Sequence, residues 1–127
     1  MIRHELLHDR GILTLEPKGK LQAADFSALA AVVDPYIEQH GGVNGLLIMA
    51  AKFPGWDDFA ALLSHLRFVR DHHRKIRRIA VVSDSAFLAV APKIANHFVS
   101  AEIRTSDAAD RAAALDWLET GDSGVQA

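Results

Sequence analysis

Residues 43–51 read VNGLLIMAA and residues 78–83 read RIAVVS, two runs that are apolar at almost every position. A strand apolar at successive residues is covered on both faces, which is the situation of a central strand in a parallel sheet packed between helices. The segments between and around these runs carry helical spacing instead. Phe26, Leu29, Val33 and Ile37 step by three or four, which predicts a helix over residues 23–40. Pro35 falls inside that pattern and is expected to kink the helix or to start a second segment capped by Asp34. Gly41-Gly42 supplies the stop.

The remaining elements follow the same logic. Residues 2–8 and 11–17, separated by Asp9-Arg10-Gly11, predict an opening hairpin. Asp57 and Asp58 stand where carboxylates cap a helix start, and Phe59, Leu62, Leu63, Leu66 and Val69 are expected to point inward from that helix until it fades near His73. Ser83, Asp84 and Ser85 open a third helix, interrupted or restarted at Pro92. Residues 101–105 read as a half-exposed last strand. Ser106 or Asp107 then caps a final helix with Ala108, Ala112, Leu115 and Leu118 as its apolar stripe, ending at Gly121. The order β-β-α-β-α-β-α-β-α implies an α/β domain over residues 1–121, with a mixed, mainly parallel five-stranded sheet flanked by four to five helices. A disordered tail is expected over 122–127.

With half of its 127 residues hydrophobic, the chain can build a core without staples, and it has no cysteine to make one. The lack of thiols also removes thiol nucleophiles and cysteine-ligated metals and fits a cytoplasmic location. No apolar run reaches the ~18–20 residues needed to span a bilayer, and the charged start lacks the apolar region of a signal peptide.

Several local patterns resemble the SpoIIAA-like family, within the wider STAS and Sec14-like group. They are FPGWDD from Phe53 to Asp58, RRIAVVSD from Arg77 to Asp84, HFVSAEIRT from His97 to Thr105, and RAAALDWL ending at Leu118. The resemblance implies a STAS-type fold and a homodimer. SpoIIAA itself is an anti-sigma-factor antagonist switched by phosphorylation of a serine that opens the helix after the central strand. The matching stretch here, residues 52–58, has no serine or threonine, so that switch does not carry over. Sec14-like relatives bind lipids, a likeness of fold alone.

Open α/β sheets place ligands at the carboxyl ends of their parallel strands, where loops diverge and helix N-termini converge. In this chain that ring comprises Lys52, Phe53, Trp56 and Asp57, then Ser83, Asp84, Ser85 and Phe87, and finally Arg104. Trp56 either lines an apolar pocket with Phe53 and Phe87 or plugs the end of the core. Ser83, Asp84 and Ser85 read first as plain caps. Neither GxGxxG nor GxxxxGK[ST] occurs, and there is no GxSxG elbow to expose a nucleophile.

Seven histidines raise the question of metal. His72 and His73 are adjacent and diverge on a helix, whereas His65 and His72 share a face without a carboxylate at ligand spacing, and HExxH is absent. No metal and no cofactor is expected. Arg67, Arg70, Arg74, Lys75, Arg77 and Arg78 place six of the fourteen basic residues within twelve positions of a chain whose net charge is −2. They form either a docking patch for an acidic partner or lipid head groups, or a solvated helix end. Nucleic acid fits poorly, since Phe68 is the one aromatic on that stretch. The reading is a non-catalytic regulatory or binding module, acting through protein or small-ligand contacts. The alternatives are a carrier or sensor of a small apolar or lipid ligand held near Trp56, and an enzyme of unrecognised type.

Overall fold

In the computed structural model of the chain, residues 1–49, 55–82, 102–106 and 110–121 are described. Strands β1 (Ile2–Leu7) and β2 (Ile12–Pro17) pair antiparallel from Ile2–Pro17 to Leu7–Ile12. The reversal between them needs a left-handed residue, and Gly11 supplies it with φ of 69°. Helix α1 (Ala23–His40) opens with a capping box in which the Asp25 carboxylate accepts the Gln22 backbone N–H at 2.8 Å. It closes at Gly41, also left-handed, whose N–H reaches the Ile37 carbonyl.

Helix α1 runs as one helix through Pro35, so no second segment starts there. Pro35 and Ala31, whose carbonyl the missing N–H would have bonded, both lie on the exposed face, where water can take that acceptor. Val33 and Leu29 meanwhile hold the opposite face on the sheet. Asp34 caps nothing; its carboxylate meets His72.

β3 (Val43–Met49), α2 (Phe59–His72), a 3-10 turn (His73–Lys75), β4 (Ile76–Val82), β5 (Glu102–Ser106) and α3 (Arg111–Thr120) complete the described elements. The five strands lie in the order β1-β2-β3-β4-β5, and β2 to β5 are parallel. Three α-helices, not four to five, stand among the described residues. The stretch read as the third helix, from Ser83 on, falls outside them, as does the tail 122–127.

Because β2, β3 and β4 step one way across the sheet, connections of one hand put both crossover helices on the same face. Leu13, Leu15 and Leu46 point to that face and pack with Phe26, Leu29 and Val33 of α1 and, from α2, with Phe68, and Ile76 at the start of β4 joins this cluster. The alternate residues Ile12, Leu47, Ala80 and Val82 point to the other face, which α3 covers with Ala114, Leu115, Trp117 and Leu118. That buried set replaces the stripe expected from Ala108, Ala112, Leu115 and Leu118: Ala112 is exposed, Ala108 lies outside the described residues, and Trp117 is the largest fully buried side chain. Close approach of α3 depends on Gly45, where a Cβ would lie 2.6 Å from the Leu118 Cβ.

α3 is also clipped to the hairpin turn. The Arg10 guanidinium donates to Glu119 at 2.7 Å and to Asp116 at 3.0 Å. Asn44 donates its side-chain N–H to the Arg10 carbonyl, so turn, central strand and α3 share one junction.

Candidate functional site

The inward stripe of α2 differs from the one its large apolar residues predict. Phe59 and Leu66 are 70% and 56% exposed, while Ala61 and His72 are buried. Ala61, His65, Phe68 and His72 step by four, three and four, so this is the core-facing row. Asp58 fixes where the helix begins by accepting the Ala61 N–H at 2.8 Å.

A methyl group and three flat rings fill a groove less completely than branched aliphatics would. Beneath α2 they leave an apolar cavity of about 220 Å³, bounded below by Leu15, Leu46, Ile48 and Ile79 of the sheet and at its side by Phe26 of α1. The rings are stacked. His65 lies on Phe26 at 4.9 Å and 14°, and His72 lies on Phe68 at 4.1 Å and 20°. His65 and His72 both line the cavity.

The two imidazoles are held differently. Trp56 donates its indole N–H to His65 Nδ1 at 3.0 Å, so Nδ1 is an acceptor and the ring proton sits on Nε2. Burial works the same way, lowering the His65 pKa from its ordinary value by desolvating the charged form. His72 has acceptors at both nitrogens, the Phe68 carbonyl at 2.8 Å from Nδ1 and Asp34 at 2.6 Å from Nε2. The second contact ties α2 to α1.

Trp56 stands beside the cavity without lining it. It forms an isolated parallel bridge with Leu21, with the Leu21 N–H on the Gly55 carbonyl and the Asp57 N–H on the Leu21 carbonyl. Asp57 is exposed. Lys52, Phe53, Ser83, Asp84, Ser85 and Phe87 lie outside the described residues. Arg104 does not join Trp56. Its guanidinium sits 4.6 Å from the centre of the Trp117 ring, on the face covered by α3, because Arg104 pairs with Ala80 and shares its side of the sheet.

The six clustered cations do not form one patch either. Arg67 and Arg70 are exposed on α2, and Arg70 pairs with Asp71 at 2.9 Å. Arg74, Lys75 and Arg77 border a polar cleft with His40 and Asn44, near the starts of β3 and β4. Arg78 turns away and donates to the Leu118 carbonyl at 3.2 Å. The chain passes from helix to strand within this stretch, which sends neighbouring side chains to different faces.

Among the described residues no three or more His, Asp or Glu side chains gather as metal ligands, and no helix is long and apolar enough to cross a membrane. The His65–Trp56 pair was the part sequence reasoning missed. Its available signal was the seven-residue spacing of His65 and His72 in register with Phe68, a core pattern rather than a ligand set.

A model of the SpoIIAA-like family matches residues 12–119 of this chain. The chain is also similar to an uncharacterized protein with a SpoIIAA-like fold from Shewanella loihica PV-4. Its crystal structure superposes with a TM-score of 0.70 at 24% identity, covering 93% of this chain and 92% of that one. No curated protein matches.

Proposed function

The chain belongs to the SpoIIAA-like family, and on that premise we propose that it is a non-catalytic binding module that takes a small apolar molecule into the cavity beneath α2. The cavity carries this reading. It is apolar, it lies between the sheet and two helices, and apart from three histidines every described residue that lines it is apolar. Its size is about seven times the ~30 Å³ share of a water molecule in the liquid, which fits a ligand on the order of ten non-hydrogen atoms. The carrier role therefore moves from Trp56 and Phe53 to the space bounded by Phe26, His65 and β3.

Native mass spectrometry of freshly purified protein tests the reading. A non-covalent adduct of low mass that disappears on denaturation supports it. A clean polypeptide mass, together with failure to take up a small alkane or ketone, removes it.

Phe59 and Leu66 favour a second role for the same helix. They are large, exposed and seven residues apart, so they share the outer face of α2. A homodimer, the assembly the resemblance implies, is the contact we assign to them. A dimer by light scattering that becomes a monomer when both are changed to serine, at unchanged melting temperature, supports this; a wild-type monomer refutes it.

A further inference from the structure

The cavity wall is apolar except for His65, His72 and His73; the two on the inward row of α2, His65 and His72, differ in what they have left to offer. His72 has both ring nitrogens engaged, by the Phe68 carbonyl and by Asp34. His65 has one engaged, because Nδ1 accepts from Trp56. Its other nitrogen, Nε2, has no hydrogen-bond partner among the described residues. No fully buried side-chain polar atom among them lacks a partner, so Nε2 must border accessible space. His65 is one of the residues that line the cavity.

The ring is also aimed. Stacking on Phe26 at 4.9 Å fixes its plane, and the Trp56 contact fixes its rotation within that plane and its tautomer. Trp56 does not line the cavity, so the pair has an outer half that positions and an inner half that faces the ligand space.

We infer that the Nε2–H of His65 points into the cavity and is its polar anchor, selecting apolar ligands that carry one hydrogen-bond acceptor of the carbonyl type over pure hydrocarbons of the same size. The inference rests on the cavity being a ligand site. Trp56 is then a positioning residue, holding the donor tautomer without touching the ligand.

A matched pair of probes, n-octane and 2-octanone, tests the anchor with the wild-type chain and the His65→Phe variant, which keeps a ring to stack on Phe26. Wild type is expected to prefer the ketone by roughly 2- to 13-fold, the equivalent of one net hydrogen bond. His65→Phe is expected to bind the alkane at least as well and to lose the preference. Nitrogen-15 spectra of the wild-type histidine rings give a readout that needs no variant: 2-octanone should shift Nε2 of His65, and n-octane should leave it in place. A preference that survives in His65→Phe, or a ketone that binds without moving that resonance, overturns the anchor. Wild type binding both probes equally also overturns it while leaving the cavity as a ligand site. If neither probe binds, the cavity reading falls and the anchor with it.

Discussion

Trp56 and His65 are the residues whose chemistry is most tightly coupled. Trp56→Phe removes the donor to His65 Nδ1 and leaves a half-buried acceptor without its partner. A loss of about 1–3 kcal/mol in unfolding free energy is expected, read from urea denaturation. The lowered pKa of His65 has its own consequence. Below the unfolded value near ~6.5 the unfolded chain takes up a proton that folded His65 resists, so this residue's contribution to stability is present above that pH and is lost as the solution is acidified. The difference in unfolding free energy between wild type and His65→Phe should therefore move against the wild type between pH 7 and pH 5. A pH-independent difference would mean the imidazole is not desolvated.

Between elements, stability depends on how closely helices can approach the sheet. Gly45→Ala places a methyl group against Leu118, and we expect it to lower stability by about 1–3 kcal/mol through displacement of α3. Thermal unfolding checks this, and Trp117 fluorescence reports whether α3 has moved. Trp117→Ala should cost about 3–5 kcal/mol, since that ring is 2% exposed at the centre of the second core. Much of this level was readable in the sequence. The hairpin, the bounds of α1 and the two central strands follow from turn residues, 3.6-residue periodicity and runs apolar on both faces. What failed was the choice of face within a helix. In α2 the large apolar residues Phe59 and Leu66 look like core, yet His65 and His72 occupy the inward row because each finds a hydrogen-bond partner there. Trp56 for His65 and Asp34 for His72 lie nine and thirty-eight positions away, distances at which periodicity carries no information. The same holds for Arg104 and for the split cation cluster, whose faces are set by strand register and not by spacing along the chain.

At the scale of the molecule, the described residues place α1, α2 and the cavity on one face of the sheet and α3 on the other. Ligand binding and stability are thus separable. Substitutions on the cavity side, such as Phe26 or His65, are expected to change probe affinity, whereas those at Gly45 or Trp117 should change melting temperature at unaltered affinity in the folded fraction. Measuring 2-octanone affinity and melting temperature for Gly45→Ala tests this: a tenfold fall in affinity with no change in melting temperature would contradict it.

The clip from Arg10 to Glu119 joins residues 109 positions apart, and it has a consequence for how the chain is made. At about 5–20 residues per second, a ribosome needs on the order of ten seconds between releasing the hairpin turn and releasing the helix that covers it. Throughout that interval Ile12 and Leu47, fully buried in the folded protein, lack the cover of α3. Vectorial synthesis therefore brings out α1 and α2, the described helices of the cavity side, before α3, a window in which a chaperone or a neighbouring nascent chain can meet this face of the sheet before α3 does.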